Sequence, residues 1–382
     1  MGKSKNFKFP ERLLSAPIGE RFAYFEGKTI KHPILGKCYE KIIRAVNPAN
    51  SGVIIFVIGP TGVGKTTLRL KYEQEIAAIS ANAMKEDPGH IPVISIVANA
   101  PENGNFNWKE HYIRFLGEAN EPMIEQKRKS LKRRSAHESF AELGLKKNAV
   151  ATEFRQALES CIIHRRTRVC IIDEAQHINK VSSGRRLLDQ MDLIKSLANN
   201  TGVPHILFGT YELLTLAGLS AQLNRRSIDI HFPRYPFNPD DKSDPFLCCI
   251  RTFQETIPIS HTPDLIDLYD FLYAGTAGCV GLLKNWLDRA LFECLDHGEE
   301  VLSKEMLEST VIPPNKMIAI AEEIKRGEER FNHDPSEEVR KVLGMDTTLV
   351  AQLNEGPTVP RRRRVGTRNP ARDLVGNRKH GF

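Results

Sequence analysis

No stretch of this 382-residue chain is apolar enough to span a bilayer, so a transmembrane protein is not expected. The opening Met1-Gly2-Lys3-Ser4-Lys5-Asn6 lacks the apolar core of a secretory signal, and Asn6 stands where an N-myristoylation site needs Ser or Thr. These absences point to a soluble, cytoplasmic protein with no membrane partner. Cysteine is also sparse, with seven residues, no C-x-x-C pair, and Cys248 and Cys249 adjacent. That pattern fits reduced structural thiols better than a disulfide framework or a zinc site. Excess positive charge is missing from most of the chain. Arg361 to Phe382 holds eight Lys or Arg against Asp373 alone, and 8 − 1 = 7 equals the whole formal net charge of +7. Any nucleic-acid affinity outside the tail must therefore come from a local patch. Lys127-Arg128-Lys129-Ser130-Leu131-Lys132-Arg133-Arg134, basic at six of eight positions, is one such patch.

What is present is a phosphate-binding signature in the context it requires. Val53 to Ile58 is a continuous β-branched and aromatic run that stops at Gly59-Pro60, which predicts a strand buried on both faces. Thr66 to Ile79 carries apolar residues near helical spacing. Between them lies Gly59-Pro60-Thr61-Gly62-Val63-Gly64-Lys65-Thr66-Thr67, a Walker A loop whose small residues let backbone N–H groups curl around phosphate oxygens at a helix N-terminus. Lys65 is expected on the β- and γ-phosphates of ATP, and Thr66 on Mg²⁺.

The remaining strands supply candidate partners. A second strand is expected at Val93 to Val97. A third, Val169 to Ile172, ends in Asp173-Glu174, the order a Walker B element needs: the first acid in the Mg²⁺ shell, the second on the attacking water. A fourth, His205 to Gly209, ends at Thr210, a candidate sensor of the lytic water, although threonine also ends strands through its own propensity. A fifth, Ile228 to Phe232, follows Arg225-Arg226, which could reach a neighbouring subunit's γ-phosphate or simply be a solvated helix end. A helix is expected before the first strand at Ile34 to Val46. After Pro239, helical patterning at Pro245 to Glu255, Pro263 to Tyr273 and Val280 to His297 predicts a small lid. Lys284 in the last of these is a candidate γ-phosphate contact or an exposed lysine on an amphipathic helix.

This ordered set resembles the AAA+ ATPases, and within them the TnsC/TniB family of transposition regulators, with MuB a more distant relative. Three stretches carry the closer match: Thr29-Ile30-Lys31-His32-Pro33, Gly59 to Leu68, and Ile171 to Ile178 (IIDEAQHI). The similarity covers about residues 20 to 310. It departs in two places: the lid has no Gly-x-Arg second sensor, and the tip of strand four is Thr rather than Asn. The implied fold is α/β, a P-loop AAA+ domain with a five-stranded, mainly parallel sheet flanked by helices, plus an α-helical lid. The expected organisation is a lead segment at 1–50, the nucleotide domain at 51–238, the lid at 239–312, a helical extension at 313–355 and a basic tail at 356–382.

The resemblance implies a homo-oligomer, ring or filament, that forms on duplex DNA with ATP, takes a cue from a target-selector protein, recruits a transposase, and disassembles on hydrolysis; the C-terminal tail either docks into the transposase, the preferred reading, or grasps DNA. In such relatives DNA-tracking residues follow the second strand, which nominates Lys109, Lys127, Arg128, Lys132 and Arg133; such contacts neutralise phosphates without reading sequence. A charge run of this kind is also what a solvated loop looks like. Two rival functions remain: a signalling NTPase scaffold that does not bind DNA, and a helicase loader, for which no winged-helix or strand-separating module is recognisable.

Overall fold

The structure is a computed structural model. It describes residues 8–47, 50–101, 106–122, 140–179, 184–217, 227–241, 243–334, 336–343 and 345. Helices α1 (Ile18–Glu26) and α2 (Pro33–Ala45) precede strand β1 (Ile54–Ile58). Then follow α3 (Lys65–Glu86), β2 (Val93–Val97), α4 (Trp108–Glu118), α5 (Phe140–His164) and β3 (Val169–Asp173). Next come α6 (Gly184–Thr201), β4 (His205–Gly209), the short α7 (Leu214–Ala217) and β5 (Ser227–His231). The C-terminal half is helical: α8 (Pro245–Thr256), α9 (Tyr269–Ala274), α10 (Val280–Asp296), α11 (Lys304–Thr310), α12 (Pro314–Asn332) and α13 (Ser336–Val342).

The five strands form one sheet in the order β2-β3-β4-β1-β5. Every pairing in it is parallel, so the expectation of a mainly parallel sheet is met in full. β1 is an interior strand, paired with β4 and β5, and is buried at all five positions, which is what its unbroken apolar run requires when helices cover both faces. β4 lies between β1 and β3, so the C-terminal ends of these three strands adjoin. The alternate residues of β1 divide the core. Ile54, Phe56 and Ile58 pack with Tyr112, Phe115, Phe154, Leu158 and Ile194 from α4, α5 and α6. Ile55 and Val57 face Leu35, Ile42, Leu68 and Tyr72 from α2 and α3.

The lid has its own core around Phe246, Ile250, Phe253, Leu272, Leu283 and Trp286, and Phe25 of α1 belongs to it. Arg21 of α1 is 4% exposed; it donates to the Pro258 carbonyl at 3.0 and 2.8 Å and to both Glu300 carboxylate oxygens at 2.7 and 2.8 Å. The lead segment is thus shared, with α1 built into the lid and α2 into the sheet layer. One expected lid helix is shorter than the pattern suggested, running Tyr269–Ala274 rather than from Pro263. Asp264 Oδ1 accepts from Ile266 N at 3.1 Å and Leu265 N donates to Gln254 Oε1 at 2.9 Å, a side-chain turn that diverts these amides from a helix. Met1–Asn332 form one compact unit and His333–Phe382 a second, of which α13 is the described helix.

Among the buried histidines of the described residues are His32, His111 and His205. Burial lowers the pKa of His32 and of His205 to about 4 and that of His111 to about 3. They are neutral in the fold and titrate near 6.5 when unfolded. Their stabilisation is therefore complete above pH 6.5 and is lost as the pH falls towards 4, by about 3 kcal/mol for a group such as His205. Thermal melts between pH 7 and pH 4 should show this decline, and His111→Leu, which removes a titrating group from an aromatic cluster, should make it shallower.

Candidate functional site

The loop after β1 is confined on both sides by backbone. A Cβ on Gly59 would stand 2.1 Å from the Phe232 carbonyl oxygen at the end of β5, and one on Gly281 of α10 would stand 2.5 Å from the Gly62 carbonyl oxygen. Gly62 and Gly64 hold φ of +75° and +110°, a left-handed region that L side chains avoid, and Gly64 caps α3. Lys65 begins that helix and is 7% exposed. Its ammonium donates to the Gly59 and Pro60 carbonyls at 3.0 and 2.8 Å. Burial lowers its pKa, against the pull of the Glu174 and Asp173 carboxylates.

The tip of β3 meets this loop. Thr66 Oγ1 donates to Asp173 Oδ2 at 3.2 Å, and Asp173 Oδ1 accepts from Glu174 N at 2.9 Å. Arg69, one turn into α3, brings Nε to 3.0 Å from Asp173 Oδ2, although the N–H is not aligned on that oxygen and makes no hydrogen bond. The guanidinium is oriented instead by Glu73 Oε1 at 2.7 Å and Ser95 Oγ at 2.9 Å. Glu174 has φ of +51°, and Gln176 Nε2 donates to its carboxylate. Gln176 Oε1 accepts from Thr210 N at 3.3 Å. The Thr210 hydroxyl is buried without a hydrogen-bond partner, an orphaned polar atom at the end of β4.

Loop, Lys65, Thr66, Asp173, Glu174 and Thr210 are thus gathered on the adjoining ends of β1, β3 and β4. The set fits a nucleotide triphosphate with Mg²⁺. The curled glycine backbone and the helix N-terminus suit phosphate oxygens, and Thr66 with Asp173 offers the hard oxygen donors that Mg²⁺ takes alongside phosphate and water. Among the described residues no cluster of three or more His, Cys, Asp or Glu could hold a metal by itself.

The lid touches the loop directly. Leu282 N donates to the Gly62 carbonyl at 3.1 Å. Just upstream, Tyr235 N donates to the Gly278 carbonyl at 3.0 Å, and the Tyr235 hydroxyl meets His32 Nδ1 at 2.9 Å and Ile34 N at 3.3 Å. Tyr235 therefore ties the His32-Pro33 lead-in to the lid. The structure corrects one expectation here. Lys284 is not turned to the loop; its ammonium sits on both Asp288 carboxylate oxygens, at 2.5 and 2.7 Å, and over the Phe25 ring at 4.5 Å. An i,i+4 acid and an aromatic face make a local home for the charge.

Other sequence candidates fall differently. Lys109 lies in the first turn of α4 with its ammonium 6.0 Å from the Phe154 ring centre. Lys127, Arg128, Lys132, Arg133, Arg225 and Arg226 lie outside the described residues. Sequence reasoning missed Arg69 and Gln176; α12 falls inside the helical extension expected at 313–355, but what it packs against was not foreseen. That helix packs Gly327 against the Tyr211 ring, where a Cβ would stand 2.1 Å from Tyr211 Cδ2. It also pairs Glu328 with Arg234 at 2.9 and 3.1 Å and stacks Phe331 on His231 at 4.3 Å. The Thr66-x-x-Arg69 spacing was the readable signal for Arg69; nothing local announces where α12 packs.

Residues 49–216 match the family described as AAA domain. No curated protein matches the chain. Among solved structures, the chain is similar to the ORC2 protein of Aeropyrum pernix, at 14% identity and TM-score 0.47 over 77% of this chain and 74% of that one. It is also similar to a Walker-type ATPase of Pyrococcus abyssi, at 17% identity and TM-score 0.40 over 84% and 75%. A third is Drosophila ORC bound to DNA, at 11% identity and TM-score 0.44 over 92% and 86%.

Gly281→Ala should force the lid helix off the Gly62 carbonyl, costing about 1–3 kcal/mol as an overpacked contact. Urea unfolding of the full chain, wild type against variant, measures it.

Proposed function

We propose that this chain is an ATP-driven assembly switch, a regulator of DNA transposition akin to the TnsC/TniB family, that polymerises on duplex DNA with ATP bound and leaves it after hydrolysis. One observation carries the nucleotide part of this reading. Thr66, Asp173 and Thr210 converge beside a loop whose Gly62 carbonyl is also the lid's anchor. A phosphate in the loop and the angle of the lid then share one backbone segment, so nucleotide state and lid position are coupled by differential binding to two arrangements.

The residues take these roles. Lys65 and the loop amides hold the β- and γ-phosphates, with the buried ammonium exchanging the Gly59 and Pro60 carbonyls for phosphate oxygens. Thr66 and Asp173 hold Mg²⁺, which when bound neutralises charge developing on the transferred phosphoryl group. Glu174 orients and deprotonates the attacking water, and the unpartnered Thr210 hydroxyl positions it. Arg225 or Arg226 is the group offered to a neighbour's γ-phosphate, which makes hydrolysis depend on assembly.

DNA enters through charge. With the chain outside residues 361–382 formally neutral, the run at Lys127 to Arg134 is the concentrated phosphate-binding segment, joined by Lys109, and the interaction is sequence-independent and salt-sensitive. The arginine-rich tail docks to the transposase. The His32-Pro33 lead-in and the IIDEAQHI run support the family assignment.

Electron microscopy of the purified protein, with and without non-specific duplex DNA and a non-hydrolysable ATP analogue, tests this directly. Rings or filaments should require both ligands and should vanish on charge reversal at Lys109, Arg128 and Arg133. A protein that assembles equally well without DNA, or stays monomeric with both ligands, would instead be a signalling scaffold.

A further inference from the structure

Gln176 stands two residues past Glu174 and is 7% exposed. Its amide spans two strand tips, donating through Nε2 to Glu174 Oε2 and accepting through Oε1 from Thr210 N at 3.3 Å. The amide's orientation follows from its partners. A carboxylate only accepts and a backbone N–H only donates, so a flipped amide would present the wrong group to each. Space for this bridge depends on Gly209, where a Cβ would stand 2.5 Å from Gln176 Oε1. Glu174 meanwhile keeps φ at +51°, a conformation a side-chain-bearing residue holds when its surroundings impose it. At the other end of the bridge, the Thr210 residue that donates its N–H keeps its own hydroxyl buried and unpartnered.

We propose that Gln176 is a positioning residue that couples the Glu174 carboxylate to the tip of β4. The inference rests on the reading of Glu174 as the general base and deepens it. The Thr210 hydroxyl, just past the end of β4, has an open hydrogen bond, and its main-chain N–H is already tied to Glu174 through one side chain. A shift of that backbone, when the hydroxyl engages the γ-phosphate or the attacking water, is handed to the base. Glu174 thereby takes its working orientation in step with occupancy of the sensor position. A buried apolar side chain of similar volume would fill the same space and transmit nothing.

The full-length chain carries the test, under the conditions of DNA and nucleotide that give the wild type its highest turnover. Gln176→Met keeps the volume and removes both bonds. Gln176→Glu keeps the acceptor for Thr210 N and replaces the donor to Glu174 with a second carboxylate. Both variants should lower kcat by about 10- to 100-fold, the scale of a misplaced general base. The Kd for a non-hydrolysable ATP analogue, read by calorimetry, should stay within about threefold of wild type. Retention of kcat within about twofold by either variant, or an analogue Kd weakened as much as kcat falls, would overturn the proposal and leave Gln176 a packing residue. Should Gln176→Met fail to fold, Gln176→Glu decides by the same criteria. Glu174→Gln separates the two layers. If Glu174→Gln hydrolyses ATP normally, the general-base reading falls and this inference with it. If Glu174→Gln is inactive while both Gln176 variants turn over normally, only this inference falls.

Discussion

The structure depends on backbone meeting backbone at the loop between β1 and α3. Gly59 lies against the Phe232 carbonyl, and Gly62 lies against Gly281 and Leu282 of the lid. No side chain fits at either contact, so the glycines of this loop serve two purposes at once. They free main-chain amides for phosphate, and they let β5 and the lid approach closely enough for the Gly62 carbonyl to accept from Leu282 N. A loop that only bound phosphate would need the first property alone. The second makes the loop a joint between the sheet layer and the lid.

Electrostatics around that joint are balanced by neighbours of both signs. Lys65 is buried among its own loop carbonyls and within the field of Asp173 and Glu174, and Asp173 is flanked by Thr66 and by the Arg69 guanidinium. A divalent cation at Asp173 would compete with Arg69 for the same oxygen. The exchange of one cation for another spares Asp173 an uncompensated buried charge, which would be costly. Helix α12 closes the far side of β4 and β5, with Glu328 held by Arg234 and Gly327 seated on Tyr211. Tyr211 directly follows Thr210, so the Thr210 end of β4 is buttressed from a helix more than a hundred residues downstream.

Much of this was legible in the sequence, for reasons that differ by element. Ile54 to Ile58 is read correctly because a strand covered on both faces leaves an unbroken apolar run. The meeting of the loop from Gly59 to Thr66 with the Asp173-Glu174 pair is legible because the motif pattern sets residue type at fixed spacing after a buried strand. Lys284 shows the opposite case: its nearest acid, Asp288, is four residues away on the same helix, and that local pairing decides where the ammonium goes. Pro263 to Tyr273 has helical periodicity, yet Asp264 and Gln254 divert the first amides into a turn. Gln176 lay inside a quoted motif without a role, because its role depends on the distance to Thr210, and strand order sets that distance. The place of α1 in the lid core and of α12 on Tyr211 is non-local and leaves no periodic trace.

The most direct test of the central claim is calorimetric titration of ATP into the full-length chain, with and without Mg²⁺, for the wild type and Lys65→Ala. The account predicts a single site that Mg²⁺ strengthens and that Lys65→Ala weakens by more than about tenfold, or about 1.4 kcal/mol. Binding that is indifferent to Lys65, or no binding at all, would contradict it.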